Sequence, residues 1–290
     1  MGQYALISQS SGTRAWLMGR TVLRIVLALG CVVPPLMLLV PAVGRLVADP
    51  AWLLLAAVVK LGLIVGVYAA YVTWVEKRAP GELSWRGAGR EWCAGLALGV
   101  CLFAVVVGAL AAAGAYRITG SSGWQVVAAA LPGLLVAALY EELIFRAVVF
   151  RLLEETFGSW LALGVSALVF GLLHLGSEGA GPLGALAIAI EAGLLLGAAF
   201  MLTRRLWLCT AIHLGWNAAQ GAVFSAAVSG HAHKGMFQAA FSGPDWLTGG
   251  SFGPEASVVA VLLCAACALL VLRRCAAAGR VVPPRWRRLF

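Results

Sequence analysis

Charge is what this chain has least of: only 11% of its 290 residues are Asp, Glu, Lys or Arg, and 62% are hydrophobic. A mean hydropathy of +0.93 excludes an ordinary soluble domain. Ten-residue stretches of alternating polarity are absent, which excludes a transmembrane β-barrel. There is no internal repeat, and that counts against transporter folds built from paired halves. HExxH, the strongest sequence sign of a zinc site with a glutamate base, is missing. So is a disulfide framework. The seven cysteines lie mostly inside apolar runs and suit reduced, packing thiols, and the CxxC of Cys264 and Cys267 is read the same way.

What is present is a series of apolar runs of 18 residues or more. They predict an all-α, polytopic transmembrane helical bundle of about eight spans. The runs lie near 25–43, 51–75, 93–115, 124 into the stretch AALYEELIFR, 160–175, 183–202, 206–228 and 256–272. Residues 1–24 read as a basic cytoplasmic N-terminus, 25–272 as the membrane domain and 273–290 as a basic cytoplasmic tail on the membrane surface. The first run is too long for a signal-peptide core and lacks a convincing cleavage site, so it reads as a span. The net charge of +9 is spread over short loops and chain ends, which points to the bilayer as partner and away from nucleic acid. With both termini cytoplasmic, 17 of the 21 Lys and Arg residues fall inside. Only Arg45, Arg117 and Lys234 fall outside, and Lys60 lies within a span, which is the asymmetry expected of an inner-membrane protein.

Three apolar stretches carry polar groups that a lipid-facing helix would not keep. The first holds Glu141, Glu142 and Arg146. Residues four apart share a helical face, so Glu142 and Arg146 can pair, whereas Glu141 points elsewhere and is left free. The second holds His174, four residues after Phe170; the third holds His213 and Asn217, again four apart. A single His or Asn in a membrane helix is as readily a hydrogen bond between helices. Together these groups supply a base, an imidazole and hydrogen-bond donors, the set that amide hydrolysis needs. A carboxylate buried among apolar side chains becomes a better base near neutral pH.

Read as EExxxR (EELIFR), FxxxH (FGLLH) and HxxxN (HLGWN), the three stretches resemble the CPBP family of intramembrane proteases. That family includes the type II CAAX prenyl endopeptidases and the bacteriocin-processing Abi proteins. The similarity runs over about 124–222 and includes the stretch GLLLGAAFMLTRRLWLCTAIHLGWNAAQ. The resemblance implies an endopeptidase in which Glu141 is the general base on the attacking water. It implies that His174 helps to position that water, and that His213 and Asn217 donate to the oxyanion. Glu142, Arg146 and Phe170 would support the site. The resemblance leaves open a glutamate-dependent or a metal-dependent protease; with HExxH missing, metal-free chemistry without a cofactor is the expectation, and a zinc-dependent version would draw on Glu141, His174 and His213. The substrate would be a membrane-embedded or membrane-proximal peptide. A silent membrane scaffold or immunity protein that regulates a partner is the alternative, and a transporter pathway lined by buried charge is a third reading.

Three further expectations concern placement. Counted at about 1.5 Å per residue, Glu141 lies nearer the cytoplasmic side and His174 in the outer half. A kink at Pro132-Gly133 or a tilted fifth span would have to close that gap. Lys60 and Glu191 sit at similar depth and are expected to form a buried ion pair. His231 and His233, an HxH in the loop after the seventh span, are expected to be solvated.

Overall fold

The computed structural model describes residues 2–46 and 52–285, with side chains from Ala15 onward save that of Leu46. Helix α1 (Gly2–Leu46) runs unbroken through both the basic N-terminus and the first span of the sequence reading. Helix α2 (Leu53–Ala70) ends in a π-helical turn, and α3 (Ala88–Ala112) follows the loop that joins them. A short strand β1 (Tyr116–Ser121) leads to α4 (Gln125–Glu142). This helix passes through Pro132 and a π-helical stretch, Leu143–Phe150, into α5 (Arg151–Phe157). After Gly158 the chain reverses into α6 (Ser159–Leu173). Helix α7 (Gly181–Ile188) continues through a π-helical stretch, Ala189–Leu194, into α8 (Leu195–Thr203). Helix α9 (Leu206–Asn217) ends in another, Ala218–Val223. Strand β2 (Phe237–Phe241), a short α10 (Asp245–Thr248) and α11 (Val258–Ala277) complete the order.

Seven of these helices are long and apolar enough to cross a membrane, so the chain is an integral membrane protein. The seventh predicted span, α9 with its π turn, is not among them. Thr210, His213, Asn217 and Gln220 dilute its apolarity. Its side chains are buried almost throughout, so α9 is wrapped by other helices rather than by lipid. The expected long loop after it contains a strand: β2 pairs antiparallel with β1, with a bulge between Ile118 and Gly120.

The tightest helix contact explains how so polar a segment is enclosed. Helix α3 lays Gly95 and Gly99 against α9, and α9 returns Gly215 against α3. A methyl group at Gly95 would stand 2.6 Å from the Ala211 Cβ, and one at Gly99 would strike the Ile212 carbonyl oxygen and stand 2.7 Å from the Trp216 nitrogen. Small residues one turn apart let the two backbones touch, which is how apolar helices associate without a hydrophobic driving force. Gly99→Ala is therefore expected to push α9 away and cost about 1–3 kcal/mol, read as a lower melting temperature in detergent. Gly108→Ala, on the same helix but with nothing within 4 Å of the added carbon, should leave melting unchanged or raise it.

An ion-pair cluster closes the bundle at the end opposite the strands. Arg151 reaches Glu76 at 2.8 Å and Glu155 at 2.8 Å, Arg78 reaches Glu76 at 2.7 Å and Glu82 at 3.0 Å, and Arg24 of α1 reaches Glu155 at 2.5 Å. Burial raises the Glu76 carboxyl, but its bonds to Arg151 and Arg78 outweigh that and hold it below its ordinary value. The C-terminal segment adds to this end: Val282 exchanges bonds with Ser159, accepting from its N–H at 2.9 Å and donating to its hydroxyl at 2.8 Å. Residues 286–290 of the predicted surface tail lie outside the described residues.

Candidate active site

The long hairpin of α4, α5 and α6 removes the depth conflict of the sequence reading. Span four does not end near the glutamates; the helix runs on as one 33-residue segment, Gln125–Phe157. Its corner is Gly158, so Glu141 lies about 17 residues before the corner and His174 about 16 after it. At about 1.5 Å per residue both stand roughly 25 Å from the corner. Helix α6 ends at Leu173 and His174 opens a single 3₁₀ turn, which frees its ring from the helix barrel.

Glu141, Phe170, His174, His213 and Asn217 line one cavity of about 290 Å³. It lies toward the strand end of the bundle. Three π-helical stretches border it, just after Glu142, around Glu191 and just after Asn217. Wider turns of this kind re-aim side chains and are frequent at functional sites.

The two adjacent glutamates separate as their helical phase requires. Glu142 is fully buried and Arg146 is 1% exposed, with Oε2 and Nε 3.0 Å apart. That contact lies off the N–H axis, so neither atom makes an aligned hydrogen bond and the attraction is chiefly Coulombic. Arg146 Nη2 donates to the Ala192 carbonyl at 2.9 Å, and the guanidinium rests 5.1 Å over the Phe170 ring. Counting Arg146 among cytoplasmic loop charges was therefore an error; it is an internal counter-ion. The second oxygen of Glu142 accepts from His213 Nδ1 at 3.1 Å, a contact that local spacing could not foretell. Glu141 reaches the cavity with a third of its side chain accessible, so it is not sealed among apolar groups as expected. Its Oε2 stands 3.9 Å from His213 Nε2, too far for a direct hydrogen bond.

The imidazole tautomers follow from these partners. A carbonyl can only accept, so His174 Nδ1 donates to the Phe170 carbonyl at 2.8 Å and Nε2 keeps a lone pair. Phe170 also sets its ring 4.9 Å from that imidazole at a 45° tilt, so in FxxxH the Phe touches the His by both its carbonyl and its ring. His213 Nδ1 donates to Glu142, which leaves Nε2 toward Glu141.

Several lining groups were assigned elsewhere or overlooked. Glu191 lines this cavity, and Lys60 lies in another pocket with Leu36, Pro132 and Tyr140. The expected Lys60–Glu191 pair does not form, because α4 stands between them, its Ala137 lining both pockets. Equal depth set no azimuth. Glu191 instead shares the cavity wall with Glu255, which carried no sequence signal beyond a carboxylate beside the last span. His231, exposed as expected, and His233, which is half-buried, also line the cavity. Cys264 of the CxxC is buried on the same wall, and all seven cysteines are free. The residues a zinc-dependent version would use do not suit a metal well. Among the described residues no group of three or more His, Cys, Asp or Glu converges to hold one.

Glu255 accepts from Gln220 Nε2 at 2.9 Å and from the Ser229 N–H. Burial nevertheless pushes its carboxyl up to about 7, against those two bonds. A carboxyl whose folded value exceeds its unfolded one lends stability that is complete below the unfolded value and lost on the way to the folded value. Melting temperature in detergent is therefore expected to fall between pH 4.5 and about 7 on account of Glu255. Glu255→Gln should flatten that decline. An unchanged slope in the variant would rule this carboxyl out as its source.

Residues 123–219 match a family model described as "Type II CAAX prenyl endopeptidase Rce1-like". The match covers roughly a third of the 290 residues and contains all three motifs. The match supports likeness to the CPBP intramembrane proteases over this segment. No curated protein and no solved structure matches the chain.

Proposed function

We propose that this chain is an intramembrane endopeptidase that hydrolyses a peptide bond of a membrane-anchored or membrane-proximal protein through a water activated by Glu141. The observation that carries this reading is the convergence of Glu141, His174, His213 and Asn217 on one cavity from three separate helical segments. Glu141 takes a proton from water lying between its carboxylate and the lone pair of His174. The hydroxide attacks the scissile carbonyl carbon. Asn217 donates its amide N–H to the oxyanion, and His213 does so from Nε2 when that nitrogen carries a proton. Collapse of the tetrahedral intermediate breaks the C–N bond, and protonated Glu141 returns its proton to the leaving amine. Glu142 holds the His213 ring by Nδ1, and Arg146 holds Glu142, so the pair positions the oxyanion donor without touching substrate.

The test uses the full chain in liposomes with a pool of membrane-anchored peptides in H₂¹⁸O. New carboxyl termini carrying one ¹⁸O atom are expected. A pool left intact by folded protein would instead favour the silent scaffold. Cleavage is expected to survive 1,10-phenanthroline, and loss of cleavage that zinc restores would replace the mechanism with a metal-dependent one.

A further inference from the structure

The chain is strongly basic overall, with a net charge of +9, yet its cavity is acidic. Glu141, Glu191 and Glu255 line it, and none of its lining residues is Lys or Arg. Glu191 and Glu255 form one wall, from the π-helical stretch after α7 and from the turn before α11. Both are nearly sealed, at 4% and 2% exposure. Their hydrogen bonding is unequal. Each oxygen of Glu255 has a protein donor, Ser229 N–H on one and Gln220 Nε2 on the other. Glu191 Oε2 is buried with no donor at all. Leaving a buried carboxylate oxygen unpaired is costly, more so beside a second carboxylate. The wall thus lacks a donor, and a positive one.

We propose that the Glu191–Glu255 wall is a subsite for a cationic side chain of the substrate, the ammonium of a lysine or the guanidinium of an arginine; this rests on the endopeptidase reading of the same cavity. The cationic head supplies the donor that Glu191 lacks and favours the ionised form of the Glu255 carboxyl against the burial that raises it. The apolar stem of such a side chain finds matching surface in Ile188, Leu195 and Leu196, which line the cavity beside Glu191. The histidines at the mouth do not oppose this. Burial, and after it the neighbouring His231, hold the His233 imidazole below its ordinary value, so it stays uncharged at neutral pH. The wall also does not suit a divalent ion, since no three acidic, His or Cys groups converge among the described residues. Because Glu141 lines the same cavity, a side chain anchored at this wall would hold the neighbouring peptide bond within reach of the base.

Binding, not turnover, tests the subsite. The probes are two dansylated, C-amidated heptapeptides that differ only in a central lysine or norleucine, titrated by anisotropy against the full chain in detergent. The lysine peptide is expected to bind about tenfold more tightly, the size of one charge-assisted hydrogen bond. In Glu191→Gln, which keeps the shape, the preference should shrink to within about twofold, and Glu255→Gln should reduce it as well. Glu141→Gln should retain it. Equal affinities in the wild type overturn the proposal. So does a preference that persists in both wall variants, or one that vanishes only in Glu141→Gln. A lysine preference without any cleavage leaves the subsite standing and defeats the endopeptidase reading. Cleavage of both peptides at equal affinity does the reverse.

Discussion

Replacing Glu141 by Gln is expected to reduce cleavage by about 10²- to 10⁴-fold, the usual contribution of a general base. The folded protein should melt as the wild type does. The amide keeps the size and shape of the side chain, so the cavity should not collapse. It cannot take a proton from water, so the chemical step should fail while peptide binding persists. Because, among the described residues, Glu141 forms no ion pair shorter than its 3.9 Å approach to His213, its loss strands no buried partner there. The measurement is single-turnover cleavage and melting temperature on the same preparation. Normal cleavage by the variant would assign the base to another group, and Glu142 would be the next candidate.

The second large effect is on stability. Glu142→Gln should cost about 3–5 kcal/mol, because it leaves Arg146 buried without its counter-ion. Both side chains are essentially inaccessible. Replacing both, as Glu142→Leu with Arg146→Met, should cost less than the single change, since no lone charge remains. The charge swap, Glu142→Arg with Arg146→Glu, should recover part of the stability. Activity should not return with it. A guanidinium at position 142 would face the His213 Nδ1 proton, which now meets a carboxylate at 3.1 Å, and the ring would turn away. A Glu142→Gln variant that melts within a degree or two of wild type would show that the pair is not under strain of burial. The same carboxylate faces Arg146 on one oxygen and His213 on the other.

How much of the site could be read from the chain depends on the range over which each signal acts. Glu142 with Arg146, Phe170 with His174 and His213 with Asn217 are each four residues apart, and a helix turns such pairs onto one face wherever it lies. The rarity of polar groups in a chain this apolar singled out those stretches and Glu191, and the three spaced motifs tied the first three to a protease family. The error with Arg146 came from the same source as the depth conflict. The sequence reading ends the fourth span in the stretch around Glu141 to Arg146, whereas the helix runs on to Phe157 and only there turns back.

The sequence by itself determined that this is a helical membrane protein and that Glu141 and Glu142 face different ways, and it singled out four polar groups that line one cavity. Composition and helical period are enough for that, because they act within one segment. Only the tertiary structure decided what those groups meet. Helix α9 is enclosed because Gly95 and Gly99 admit its backbone, and a glycine's value as a contact shows only when the facing helix is known. His213 receives Glu142 rather than water because α4 crosses it at that turn. Lys60 and Glu191 part, and Glu191 gains Glu255, because rotation about each axis and the π-helical stretch at 189–194 set azimuth, which depth does not. Interactions across helices depend on packing angles summed over the whole bundle, and no local spacing encodes them.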